Sequence, residues 1–120
     1  MYKVKTDLEK NRLTIILAGF ISADEAATVR DAIVSEVSKL TPGFDVINDI
    51  SNFRLGQDQA GTVLKEIIKY LISKGVKKVI RVVGASQTGL IQFANHTGEV
   101  SAYNVKYVPT LKDAENFLDD

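Results

Sequence analysis

The residues able to do chemistry gather in two short stretches and one isolated position. Asn48 to Gln59, "NDISNFRLGQDQ", brings together Asp49, Ser51, Asn52, Arg54, Gln57 and Asp58. Gly84 to Gly89, "GASQTG", carries Ser86 and Thr88, and His96 is the single histidine. The chemistries these types suggest fail one after another. Ser51 or Ser86 with His96 has the residue types of a triad, but a triad is defined by geometry rather than by type. Asp49 has no second carboxylate at an acid-base spacing. "GASQTG" is one residue too long for the Gly-x-Ser-x-Gly nucleophile elbow. It is not a phosphate-binding P-loop either, because Leu90 and Ile91 stand where Lys and Ser or Thr are required. One His and no Cys do not supply the common zinc ligands. The expectation is a protein without a catalytic centre, a metal or a cofactor.

The same residues have structural work available. Asp58 falls in the first turn of a helix, where a carboxylate interacts favourably with unpaired amides and the macrodipole. It is also placed to act as a recognition charge. Ser51 and Asn52 suit turn geometry after a strand, and Asp49 is expected to cap, or to pair with Arg54 or Arg81. Ser86 or Thr88 would cap a strand-to-helix turn, whose amides face the same edge and suit an anion. His96 fits as a polar residue at a helix end before Gly98.

Hydropathy patterning supplies the elements that must hold these groups. "YKVKTDL" alternates, and "RLTIILAGF" is a more buried strand, so the two form an antiparallel hairpin. Ser22 with Glu25 has capping-box spacing and opens a helix with the stripe Ala26, Val29, Ile33, Val37 and Leu40. Thr41-Pro42-Gly43 ends it. "FDVINDI" is the third strand. A helix follows from about Gln57 to Ser73, stopped at Gly75. "VKKVIRVVG" is the fourth strand, a helix covers roughly 88–102, and "VKYVP" is the fifth strand. Thr110 with Asp113 starts a last short helix. From the second strand onward this is a run of strand-helix-strand crossovers, which favours parallel strands. Such sheets collect their ligands at the carboxyl ends of the strands. Three loops therefore converge on one edge: Gly19 to Asp24, Asp49 to Asp58, and Gly84 to Thr88. The fold class is α/β, with an N-terminal hairpin leading into a mixed, mainly parallel sheet of about five strands and about four helices.

Composition narrows the function classes. The 120 residues form a single domain, large enough to bury a core. Fifteen basic and fifteen acidic residues cancel, leaving no electrostatic footprint for nucleic acid. There is no apolar run of about 18 residues for a transmembrane helix and no signal-peptide pattern in "MYKVKTDLEK". A cytoplasmic location is the expectation.

The pattern of elements resembles the STAS domain of bacterial anti-sigma-factor antagonists, in particular their SpoIIAA-like relatives, which are grouped with the CRAL-TRIO architecture. The resemblance runs from "RLTIILAGFIS" through "VKYVPTLKDAENFL", and its best local match is "VINDISNFRLGQDQAGTVLKEI". It implies a regulatory domain that binds a protein partner and is switched by phosphorylation of a Ser at the start of the second helix. That position falls on Asp58 or Gln59 here, and no Ser or Thr stands between Ser51 and Thr62. A carboxylate imitates phosphoserine in sign only, since the phosphate carries about −1.5 to −2.

Two readings follow. The first is a non-enzymatic interaction module whose loop edge, Asp49 to Asp58 with Ser22 and Ser86 nearby, binds a protein. The second is a carrier or sensor of a small apolar ligand, suggested by the CRAL-TRIO likeness and by Leu90, Ile91, Phe93 and Tyr103 on the third helix. The plainer role of those four residues is packing against the sheet. A homodimer through the sheet edge or the third helix stays open.

Overall fold

The computed structural model describes residues 1–84 and 104–120. The helix expected over 88–102, with Leu90, Ile91, Phe93, His96 and Tyr103, lies outside the described residues, as does Ser86.

Strand β1 (Tyr2–Asp7) and β2 (Arg12–Ile21) form the expected hairpin, in antiparallel register from Tyr2 opposite Leu17 to Asp7 opposite Arg12. Asn11, in the turn, takes the left-handed conformation (φ 53°) that its short polar side chain tolerates. Helix α1 (Ala23–Val37) follows, then β3 (Asp45–Leu55), helix α2 (Asp58–Ser73) and β4 (Lys78–Val82). Strand β5 (Asn104–Val108) and helix α3 (Leu111–Asp119) complete the described chain. The five strands lie in the order β1-β2-β3-β4-β5, with every pair after the hairpin parallel. Three helices stand among the described residues where about four were expected; the expected helix over 88–102 lies outside them.

The caps that start α1 and α3 and the glycine that stops α2 are the expected ones, while α1 ends at Val37, short of Leu40 and of the expected stop at Thr41-Pro42-Gly43. Ser22 Oγ accepts from the Glu25 amide at 3.1 Å, and Thr110 Oγ1 accepts from the Asp113 amide at 3.1 Å. Each satisfies an amide that has no partner inside its own helix. Gly75 ends α2 at φ +89°, and a Cβ there would stand 3.1 Å from Pro42 Cβ.

The core divides by sheet face. Ala26, Val29, Ile33 and Val37 of α1 and Leu64, Ile67, Ile68 and Leu71 of α2 pack on Leu13, Ile15, Leu17, Val46, Ile50 and Val79. On the other face a smaller cluster joins Ile47, Ile80, Val82 and Val108 to Ala114 of α3.

One expectation about the elements is corrected. Strand β3 was expected to end near Ile50 and open into a loop from Asp49 to Asp58, but it runs five residues further, to Leu55. It parts from β4 after Asp49, opposite Val82, and stays hydrogen-bonded to β2 as far as Leu55 opposite Ile21. Gly19 to Ile21 are strand for the same reason. The continuation is driven by burial: Ile50 and Phe53 are both lost to solvent beneath α1 and α2. Their spacing of three cannot fit an unbroken strand, whose faces alternate with period two. A bulge reconciles them, with Ile50 and Ser51 together opposing Leu17.

Candidate functional site

The β2–β3 pair carries the chain to one end of the sheet, where both strands turn into helices side by side. Gly56 makes the turn, donating its amide to Ile21 O at 3.0 Å. A Cβ on Gly56 would lie 2.9 Å from that same carbonyl oxygen, so only glycine allows so close an approach. The next residue then crosses over. Gln57 is the N-cap of α2 by position but makes no capping bond to its own helix; its Oε1 accepts from the Ala23 amide of α1 at 2.8 Å. The first turns of α1 and α2 are thereby tied together. Asp24 and Glu25 in one and Asp58 in the other add carboxylates where the helix dipoles favour them. Glu25 pairs with the Met1 ammonium at 3.0 Å, while Asp24, Gln57, Asp58 and Gln59 lie exposed on the end of the molecule.

The other expected residues go elsewhere. Asp49 Oδ1 accepts from the Ser51 amide at 3.0 Å and from Ser51 Oγ at 2.6 Å, an Asx-type turn that holds the bulge. Asp49 is thus a cap, one of its two expected roles. Gly84, beyond the end of β4 with φ +62°, lies against Ser51 so closely that a Cβ there would meet Ser51 Cβ at 2.9 Å. Strand alternation sends Asn52 and Arg54 to the face opposite α1 and α2, since Phe53 between them is in the core. Arg54 Nη1 donates to Phe53 O at 2.8 Å, and Asn52 is exposed. Of the expected set, the structure brings Ser22, Gln57 and Asp58 together, sets Asp49 and Ser51 further back on β3, and turns Asn52 and Arg54 to the far face.

One role and one residue escaped the reading of the sequence. The cap that Gln57 gives α1 spans 34 positions, beyond any local spacing rule. Phe20 is 76% exposed at the end of β2; its signal was an aromatic residue in the outward phase of a buried strand.

No group of three or more His, Asp or Glu capable of holding a metal occurs among the described residues. The carboxylates with clearly lowered pKa values, Asp119 and Glu36, sit at the opposite end of the sheet. Asp119 is held low chiefly by its hydrogen bond from Arg12, and Glu36 by its hydrogen bond from Lys39. Between α1, α2 and the sheet lies a mostly apolar cavity of about 30 Å³, walled in part by Asn48 and Arg81. That is room for a water or two rather than an acyl chain. No helix among the described residues is long and apolar enough to cross a membrane.

No family model and no curated protein matches the chain. Solved structures do. The anti-sigma-factor antagonist SpoIIAA in its unphosphorylated form aligns with 99% of this chain and 96% of its own, at a TM-score of 0.64 and 12% identity. The Bacillus cell fate determinant SpoIIAA in its phosphorylated form aligns over 98% and 99%, at a TM-score of 0.66 and 10% identity. The fold of the chain is therefore SpoIIAA-like, the STAS architecture. At such low identity the likeness is one of fold.

Proposed function

We propose that the chain is a non-enzymatic regulatory module that binds a protein partner through the joined N-terminal turns of α1 and α2. The observation that carries this reading is the Gln57 bond to Ala23, which fixes two helix starts as one surface and leaves Asp58 exposed on it. A surface held in advance loses little entropy on binding. The structural neighbours, the anti-sigma-factor antagonist SpoIIAA in its unphosphorylated form and the Bacillus cell fate determinant SpoIIAA in its phosphorylated form, support a partner-binding role for such a fold.

The module works without a phosphorylation switch at the start of α2. The nearest upstream hydroxyl, Ser51, is committed to Asp49 and packed against Gly84. Asp58 instead places a carboxylate at the helix start, carrying less charge than the roughly −1.5 to −2 of a phosphate.

The test is site-specific photo-crosslinking in the source cells, with the reactive group at Asp24, Gln59 or, as a control, Lys112. One protein crosslinked from Asp24 and Gln59 but not from Lys112, and lost in an Asp58→Lys background, is the expected result. Equal crosslinking from all three positions would sink the reading. A small molecule that co-purifies with the chain in native mass spectrometry would move the case to an apolar-ligand carrier.

A further inference from the structure

On the α3 side of the sheet one row of side chains crosses every strand. Register and alternation set Asp7, Arg12, Asp45, Lys78 and Asn104 side by side, one from each of β1 to β5. Asp45 thus stands between two cations, Arg12 and Lys78, and pairs with neither. Its Oδ1 is buried with no hydrogen-bond partner among the described residues, and so is Nε of Arg12. Two complementary orphans on neighbouring strands are costly, because each has lost its water without gaining a partner.

The C-terminal turn of α3 accounts for both. Asp119 accepts from Arg12 Nη2 at 2.8 Å and from the Lys10 ammonium at 3.2 Å. The Lys78 and Lys106 ammoniums lie 5.6 and 4.6 Å from the centre of the Phe117 ring. Each cation beside Asp45 is therefore turned toward the helix, while the carboxylate beneath goes without. What holds α3 against that demand is slight. Of its residues only Ala114 is buried, Leu111 and Leu118 are half-buried, and Phe117 is 38% exposed. The start of the helix is self-contained, with Thr110 capping the Asp113 amide. The Pro109 carbonyl before it is fixed by the Gly84 amide at 3.1 Å, so a swing of α3 falls on the Thr110–Leu111 link.

We propose that α3 is a releasable cover and that Asp45 is its built-in competitor, accepting the Arg12 guanidinium when Asp119 lets it go. In the docked state Arg12 serves Asp119 through Nη2 and leaves Nε idle. In the released state Nε donates to Asp45 Oδ1, and both orphans are satisfied. Arg12 exchanges one carboxylate for another, so the sheet keeps an ion pair with or without the helix. Release takes Ala114 off Ile47, Ile80, Val82 and Val108. The device lies at the other end of the sheet from Gln57 and Asp58 and does not depend on the partner-binding reading.

Hydrogen exchange of the full ¹⁵N-labelled chain separates release of α3 from global unfolding, since a local opening lowers protection in one element alone. Asp45→Asn removes the competing charge, so α3 amides should exchange about two- to fivefold more slowly, the scale of one partly exposed ion pair. The second readout is the Arg12 Nε–H resonance, assigned through Arg12→Lys. It should shift in Asp119→Asn, where the helix is loosened, and that shift should vanish in Asp119→Asn with Asp45→Ala. An Asp45 that merely supported the sheet would not move this signal. Three outcomes overturn the proposal. One is α3 exchange that is unchanged or faster in Asp45→Asn. Another is an Nε–H shift that persists without the Asp45 carboxylate. The third is loss of amide dispersion in both Asp45→Asn and Asp45→Ala, which would make Asp45 a support of the fold itself.

Discussion

Gly56 and Gln57 show how much of the candidate edge depends on two adjacent side-chain choices, one of them hydrogen. A methyl group at Gly56 would press on the Ile21 carbonyl at 2.9 Å, and the obstacle is backbone that cannot swing aside. Gly56→Ala should cost about 2 kcal/mol, the usual scale of an overpacked site. Denaturant unfolding will read this as a lower midpoint at unchanged slope. An unshifted midpoint would mean the turn relaxes without loss. Gln57→Ala leaves the Ala23 amide without its bond and should cost about 1 kcal/mol, typical of a lost cap. Its distinguishing sign is faster hydrogen exchange at the start of α1, in a helix other than the one Gln57 begins. If exchange quickens in α2 instead, Gln57 is an ordinary cap of its own helix.

At the scale of elements the bulge in β3 is the feature that decides which residues face where. Ile50 and Phe53 can both enter the core only because Asp49 holds Ser51 in a turn between them. Asp49→Ala and Ser51→Ala each remove one end of the same side-chain bond, so each should destabilise by about 1 kcal/mol. The double variant should be little worse than Asp49→Ala alone, because coupled partners do not add. Additive losses would show that the two residues act separately. The bulge also explains what the sequence hid. The hairpin, the Ser22 and Thr110 caps, the Gly75 stop and the parallel order were all legible, because each rests on a local spacing or on a period of 3.6 or 2. The β3 extension broke that period at Ile50 and Phe53, so a core strand with polar residues between its anchors looked like a loop. The gathering of Ser22 and Gln57 was legible only as two converging segments. Which atom meets which depended on packing across 34 positions.

At the scale of the whole molecule, α3 stands out among the described elements for its dependence on charge. Among its residues only Ala114 is fully buried, and Asp119 joins it to Lys10 and Arg12. The Asp119 pKa is lowered, chiefly by the hydrogen bond from Arg12 and then by that from Lys10. A carboxylate with a depressed folded-state pKa contributes stability that is present above its unfolded value. That contribution is lost as the pH falls through the lower, folded value. Undocking of α3 should therefore begin below the ordinary Asp value of 3.8. The exchange rates of α3 amides across that range will follow it. Asp119→Asn should flatten this dependence and raise exchange in α3 at neutral pH. The exposed setting and salt screening keep the effect small. If parent and variant respond alike to acid, the ion pair does not hold the helix.

The strand order β1-β2-β3-β4-β5 has a consequence for how the chain reaches this state. Each strand is hydrogen-bonded to the strand before it in sequence, so the sheet can grow one strand at a time as the polypeptide emerges during synthesis, with no strand waiting for a later one to be inserted beside it. Loop-closure entropy is then met in modest steps rather than at once. The exception is the grip of Asp119 on Lys10 and Arg12, which joins residues 109 and 107 positions apart. A nascent chain stalled after β4 should already protect the hairpin and α1, while the cationic corner at Arg12 still waits for its counterion. That pairing is a natural reporter of the moment when both ends of the described fold first meet.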